Sequence, residues 1–88
     1  MSIFLITFQV DDLNRRQQLI KGIKNSGRWA RIASTAWCIK SNSFSVNSLR
    51  DSLMGGLNDT DRLFVVDISN SNWGSYCLPN AVADWLKS

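Results

Sequence analysis

Gly27 to Lys40, GRWARIASTAWCIK, leaves the chain few ways to fold. Trp29, Ile32, Trp37 and Ile39 are aromatic or β-branched, the types that suit a pleated and half-buried surface. Gly27 stops the segment before them, and Ser34-Thr35 interrupts the apolar run. This reads as two short strands joined by a tight or bulged reversal. No Asn-Gly or Asp-Gly separates the halves, so one longer strand bent at a bulge near Ser34 is the alternative. The hairpin is preferred.

On either side lie helix and strand patterns in a regular order. Ser2 to Val10, SIFLITFQV, is a near-continuous apolar run, the mark of a strand in mid-sheet. Alternation puts Phe4, Ile6, Phe8 and Val10 on one face and Ile3, Leu5, Thr7 and Gln9 on the other. Asp11 or Asp12 can cap a helix running to about Ser26, with Leu13, Ile20 and Ile23 inward and Leu19 beside them. Ser45 can cap a second helix carrying Val46, Leu49, Leu53 and Leu57. Arg62 to Ser69 reads as another central strand, with Phe64, Val66 and Ile68 on one face and Leu63, Val65 and Asp67 on the other. Residues 70–88 form a C-terminal extension with Trp73, Tyr76 and Leu78 as anchors, Pro79 as a breaker and AVADWLK as a short helix.

Eighty-eight residues make one domain, 1–88, large enough for a single core. The order strand, helix, strand, strand, helix, strand predicts an α+β ferredoxin-like βαββαβ fold. It has a four-stranded antiparallel sheet with both helices on one face. Ile3, Leu5, Leu63 and Val65 are then predicted on the bare face, too apolar to leave in water. Either the tail folds beneath them or a second copy packs there, and a homodimer is expected.

Composition narrows the chemistry. The chain has no histidine and no glutamate. Serine–histidine and cysteine–histidine nucleophile pairs are therefore impossible, and aspartate supplies every carboxylate side chain. Cys38 and Cys77 lack metal-type spacing and read as free thiols. No signal peptide or membrane-length apolar run is present, which predicts a soluble, cytoplasmic protein. The net charge of +3 is uneven: residues 1–50 hold eight Lys/Arg against two Asp, and residues 51–88 hold two against five.

Three groups of side chains are candidates for function. Arg15, Arg16, Lys21 and Lys24 on the first helix, with Arg28 and Arg31 after it, form a candidate nucleic-acid surface to which Trp29 adds stacking. A solvated helix face and a core tryptophan are the plain alternative. Asp11, Asp12 and Asp67 are candidate ligands for Mg²⁺ in phosphodiester hydrolysis if they converge at one sheet end. A helix cap and a hydrogen-bonded polar residue explain them more simply. Trp73 and Trp85 join Ile3, Leu5 and Val65 as interface candidates, whereas most of the aromatics read as core.

The apolar strand IFLITF, the stretch GRWARIASTAWCIK, the strand DRLFVVDIS and a tail with WGSY and ADWLK together resemble the SinR-like, Cas two-like family. These are relatives of the small CRISPR adaptation subunit and of VapD-like proteins, and the resemblance runs along nearly the whole chain. It implies a ferredoxin-like homodimer in mobile-element or defence biology. Its nuclease-competent members hold a metal between aspartates near the ends of the two first strands. That position falls on Gln9 here, a neutral and poor ligand for a hard cation. The expectation is a non-catalytic domain without cofactor that binds nucleic acid or a protein partner. The rivals are a Mg²⁺-dependent nuclease or ribonuclease toxin and a protein-binding adaptor or inhibitor.

Overall fold

A computed structural model describes the chain from Met1 to Ser88. The elements are β1 (Ser2–Gln9), α1 (Leu13–Asn25), β2 (Arg28–Ala33), β3 (Ala36–Ser41), α2 (Val46–Met54), β4 (Arg62–Asp67) and α3 (Asn80–Lys87). The four strands form one antiparallel sheet in the order β2-β3-β1-β4, so the two apolar runs β1 and β4 pair directly. The central stretch is a hairpin reversing at Ser34-Thr35, with a register irregularity between Arg31 and Ala33. Reversal and bulge are both present.

The helices α1 and α2 each begin at a side-chain cap. Asp12 accepts the Arg15 backbone N–H at 2.8 Å, and Ser45 exchanges hydrogen bonds with Ser48 in a capping box. Such caps contribute about 1 kcal/mol each by satisfying amides that have no partner within the helix. Leu19 and Ile23 of α1 and Leu49 and Leu53 of α2 meet Phe4, Ile6, Phe8, Val10, Trp37 and Ile39 of the sheet in one apolar core. Gly27 follows α1 where the chain passes close to β3. A Cβ there would lie 2.5 Å from the Lys40 carbonyl oxygen, so only glycine fits without moving backbone.

Two expectations about facing are corrected. Leu13 is 55% exposed rather than inward, because the helix turns Leu19 and Ile23 to the core instead. In β4, Phe8 lies opposite Leu63 and Ile6 opposite Val65. Directly paired residues share a face, so Leu63 and Val65 sit on the helix side and pack against the core. Val65 is therefore no part of the second sheet face, which carries Phe64 and Val66 beside Thr7 and Leu5.

The tail covers part of that second face. Lys40 pairs with Ile3 on β1 and Arg28 on β2, which places its side chain on this side of the sheet. Its ammonium donates to the backbone carbonyls of Trp85 and Ser88 and to the Ser88 hydroxyl, and lies 4.4 Å from the centroid of the Trp85 ring. Trp73, Leu78 and Leu86 line a cleft of about 420 Å³ with Leu5, Ile32 and Cys38. Trp85 is thus an anchor within the chain. No helix is long and apolar enough to cross a membrane.

Candidate nucleic-acid interface

The hairpin and α1 bring part of the basic set together. Arg31 pairs with Trp37, and Trp29 with Ile39, so Trp29 and Arg31 stand on the helix side of the edge strand β2. Arg16, Ile20 and Lys24 recur at four-residue spacing along α1 and share one side of it. Arg16 and Ile20 meet Arg31, Trp37 and the Ser34-Thr35 turn around an open groove of about 390 Å³. Next to Trp37, the Lys24 ammonium lies 4.8 Å from the Trp29 ring centroid and 5.4 Å from that of Trp37. The two indole rings form a tilted pair, 5.3 Å between centroids and 50° between planes, within the favourable range of centroid separation.

The groove therefore presents two guanidinium groups and two hydroxyls, with the Lys24 ammonium nearby over the Trp37 ring. Arg16 makes one long hydrogen bond, to the Val10 carbonyl at 3.4 Å, and no carboxylate pairs with Arg16, Lys24 or Arg31. Trp37 is buried, and its indole N–H has no acceptor in the protein. A buried donor left unpaired costs about 1–3 kcal/mol. The donors outnumber the acceptors here, which is the chemistry of an anion site.

Three of the six predicted cations lie elsewhere. Arg15 turns to the other side of α1 and pairs with Asp61, its Nε 2.9 Å from the carboxylate. Lys21 projects into solvent. Arg28 stands on the second face beside Lys40, whose pKa is lowered first by burial and then by the Arg28 charge. Trp37 and Ser34-Thr35, which the sequence marks as core and turn, also line the groove. The signal for them is the alternation that pairs Trp37 with Arg31.

The carboxylate candidates do not converge within the chain. Asp67 lies opposite Phe4 near the start of β1, whereas Asp11 and Asp12 follow its end. The intervening strand spans roughly 20 Å at its rise per residue. Asp12 is the α1 cap. Asp67 accepts from the Ser69 hydroxyl at 2.5 Å and the Ser69 N–H at 2.9 Å, and these bonds lower its pKa. Ser69 in turn accepts the Ile3 N–H at 2.9 Å, tying β4 to the start of β1. No three His, Cys, Asp or Glu side chains gather closely enough to hold a metal ion. Gln9 is exposed and pairs with Arg62.

No protein-family model and no curated protein matches the chain.

Proposed function

We propose that this chain is a non-catalytic, ferredoxin-like domain of the Cas two-like kind that binds the backbone of a nucleic acid in the groove between α1 and the β2–β3 hairpin. The strand order and the two helices sharing one sheet face support the fold assignment. The observation that carries the function is the convergence of Arg16, Lys24 and Arg31, none of them paired with a carboxylate, around Trp29 and Trp37. Cations from separate elements aimed at one groove attract phosphates, and the exposed Trp29 indole adds stacking. Asp11 and Asp12 lie at the opposite sheet end from Asp67, which supports the non-catalytic reading.

A homodimer belongs to the same proposal. Phe64 is 62% exposed on the second face beside β1, beyond the part covered by the tail, and Phe64→Asp is expected to leave a monomer by light scattering. Function is tested by fluorescence titration against labelled single- and double-stranded DNA and RNA at two salt concentrations, with Mg²⁺ or EDTA, followed by a gel. Binding that weakens with salt and leaves every substrate intact supports the proposal. Metal-dependent cleavage replaces it with a nuclease, and no binding at low salt directs attention to a protein partner.

A further inference from the structure

A second groove adjoins the first along the outer edge of β2. Trp29 and Arg31 line it from the strand, and Ala81, Val82 and Trp85 from α3, around a shallow, open slot of about 320 Å³. Five of its six lining residues are apolar, and two are tryptophans brought together from positions 29 and 85 by the tail's return beneath the sheet. Trp29 is 43% exposed, high for so large an apolar side chain next to a core. Arg31 belongs to both grooves and joins the cationic one to the aromatic one.

We infer that the Trp29–Trp85 slot takes one unstacked base of a single-stranded nucleic acid whose adjoining phosphate lies between Arg16 and Arg31. This rests on the proposed backbone binding and adds to it a choice of strand state. A base inside a duplex has both faces covered by its neighbours, so it cannot lay a face on either indole of this open slot without being unstacked. A base in a single strand enters freely and stacks on an indole in any sequence context. The apolar walls suit the π-face of the base, and the shared guanidinium suits the charge attached to it. DNA and RNA offer the same base and phosphate, and separate arms of the test distinguish them.

The test is fluorescence anisotropy with labelled oligonucleotides of about 12 nucleotides, a length within the usual span of such sites. Oligo-dT, oligo-U and a duplex of equal length are titrated in EDTA at low salt. The unaltered chain is expected to bind one of the single strands about tenfold more tightly than the duplex. Ala81→Gln fills the slot from an exposed helix position without touching the core and is expected to remove that preference while leaving duplex affinity within about twofold. Trp29→Leu is expected to weaken single-strand binding more than duplex binding. Equal binding of single strand and duplex, or a loss on Ala81→Gln shared equally by both, overturns the slot and leaves backbone binding standing. No binding of any oligonucleotide by the unaltered chain overturns both.

Discussion

Arg15 and Asp61, 46 positions apart in the chain, meet in a two-armed ion pair, Nε to one carboxylate oxygen at 2.9 Å and Nη2 to the other at 3.2 Å. The pair fastens α1 to the turn that leads into β4. The Asp61 side chain is 2% exposed and also accepts the Asn58 backbone N–H at 3.0 Å. The Arg15 hydrogen bond, then the one from Asn58, holds the Asp61 carboxyl below its ordinary 3.8. A carboxylate depressed in the folded state contributes stability that is present above its unfolded pKa and lost as pH falls through the folded one. Asp61→Asn should therefore lower the thermal midpoint at neutral pH and show a smaller further loss below about pH 4 than the parent. Thermal unfolding across that range checks it, and parallel acid limbs would disprove it.

Because Arg15 is committed to Asp61, it should behave unlike its neighbour Arg16. Arg16→Ala and Arg31→Ala should each weaken binding to any nucleic acid and reduce the slope of log K against log salt by about 0.7–0.9, the mark of one lost phosphate contact. Arg15→Ala should lower stability and leave that slope unchanged. Salt titrations of the three variants separate them. A slope change in Arg15→Ala equal to that in Arg16→Ala would place the interface on the wrong side of α1.

The contrast between these two arginines also shows where the sequence is readable. Local chemistry is legible: Asp12 and Ser45 cap their helices because their side chains reach amides three residues on, and the alternation in β1 separates Phe4, Ile6 and Phe8 from Leu5 and Thr7. The register of β4 is not. RLFVVD is apolar at both parities, so alternation alone cannot say whether Val65 or Val66 meets the helices; the pairing with Ile6 decides it. Partners distant in sequence are equally hidden. Nothing local marks Arg15 as bound to Asp61, or Lys40 as buried under a tail more than forty residues further on. The groove fell between these cases, since its cations are visible in the sequence and their selection depends on tertiary facing.

Lys40 is the main polar tie between tail and sheet. None of the residues of α3 is fully buried, and an eight-residue helix is marginal by itself. Its attachment depends on partial burial and on the three hydrogen bonds from the Lys40 ammonium to Trp85 and Ser88. Lys40→Met keeps the length of the side chain and removes the donors. Amides of α3 should then exchange with solvent about tenfold faster or more, while those of β1 and β3 keep their protection. Loss of protection throughout the sheet would make the lysine a determinant of the whole fold. The slot between Trp29 and Trp85 should weaken with the tail.

Cys38 and Cys77 line the same cleft in opposite states. Cys38 is 1% exposed, and burial pushes its thiol up from 9.0 to about 11; Cys77 is exposed, with a left-handed φ of 58°. The thiolate is the reactive form, so in the native protein Ellman's reagent should label Cys77 promptly and Cys38 only after denaturation. The same displacement sets an alkaline stability limit. Between about 9 and about 11 the unfolded chain has released the Cys38 proton while the folded chain retains it. The folded state thus binds more protons, and its stability falls as pH rises through that interval. The lowered pKa of Lys40 acts in the opposite direction, so the Cys38 contribution is isolated by comparison with Cys38→Ala. That variant loses packing at every pH, but its deficit relative to the parent should shrink from pH 9 to pH 11. Chemical denaturation at those two pH values measures the difference, and a constant deficit would show that the Cys38 thiol ionises as readily in the folded chain as in the unfolded one.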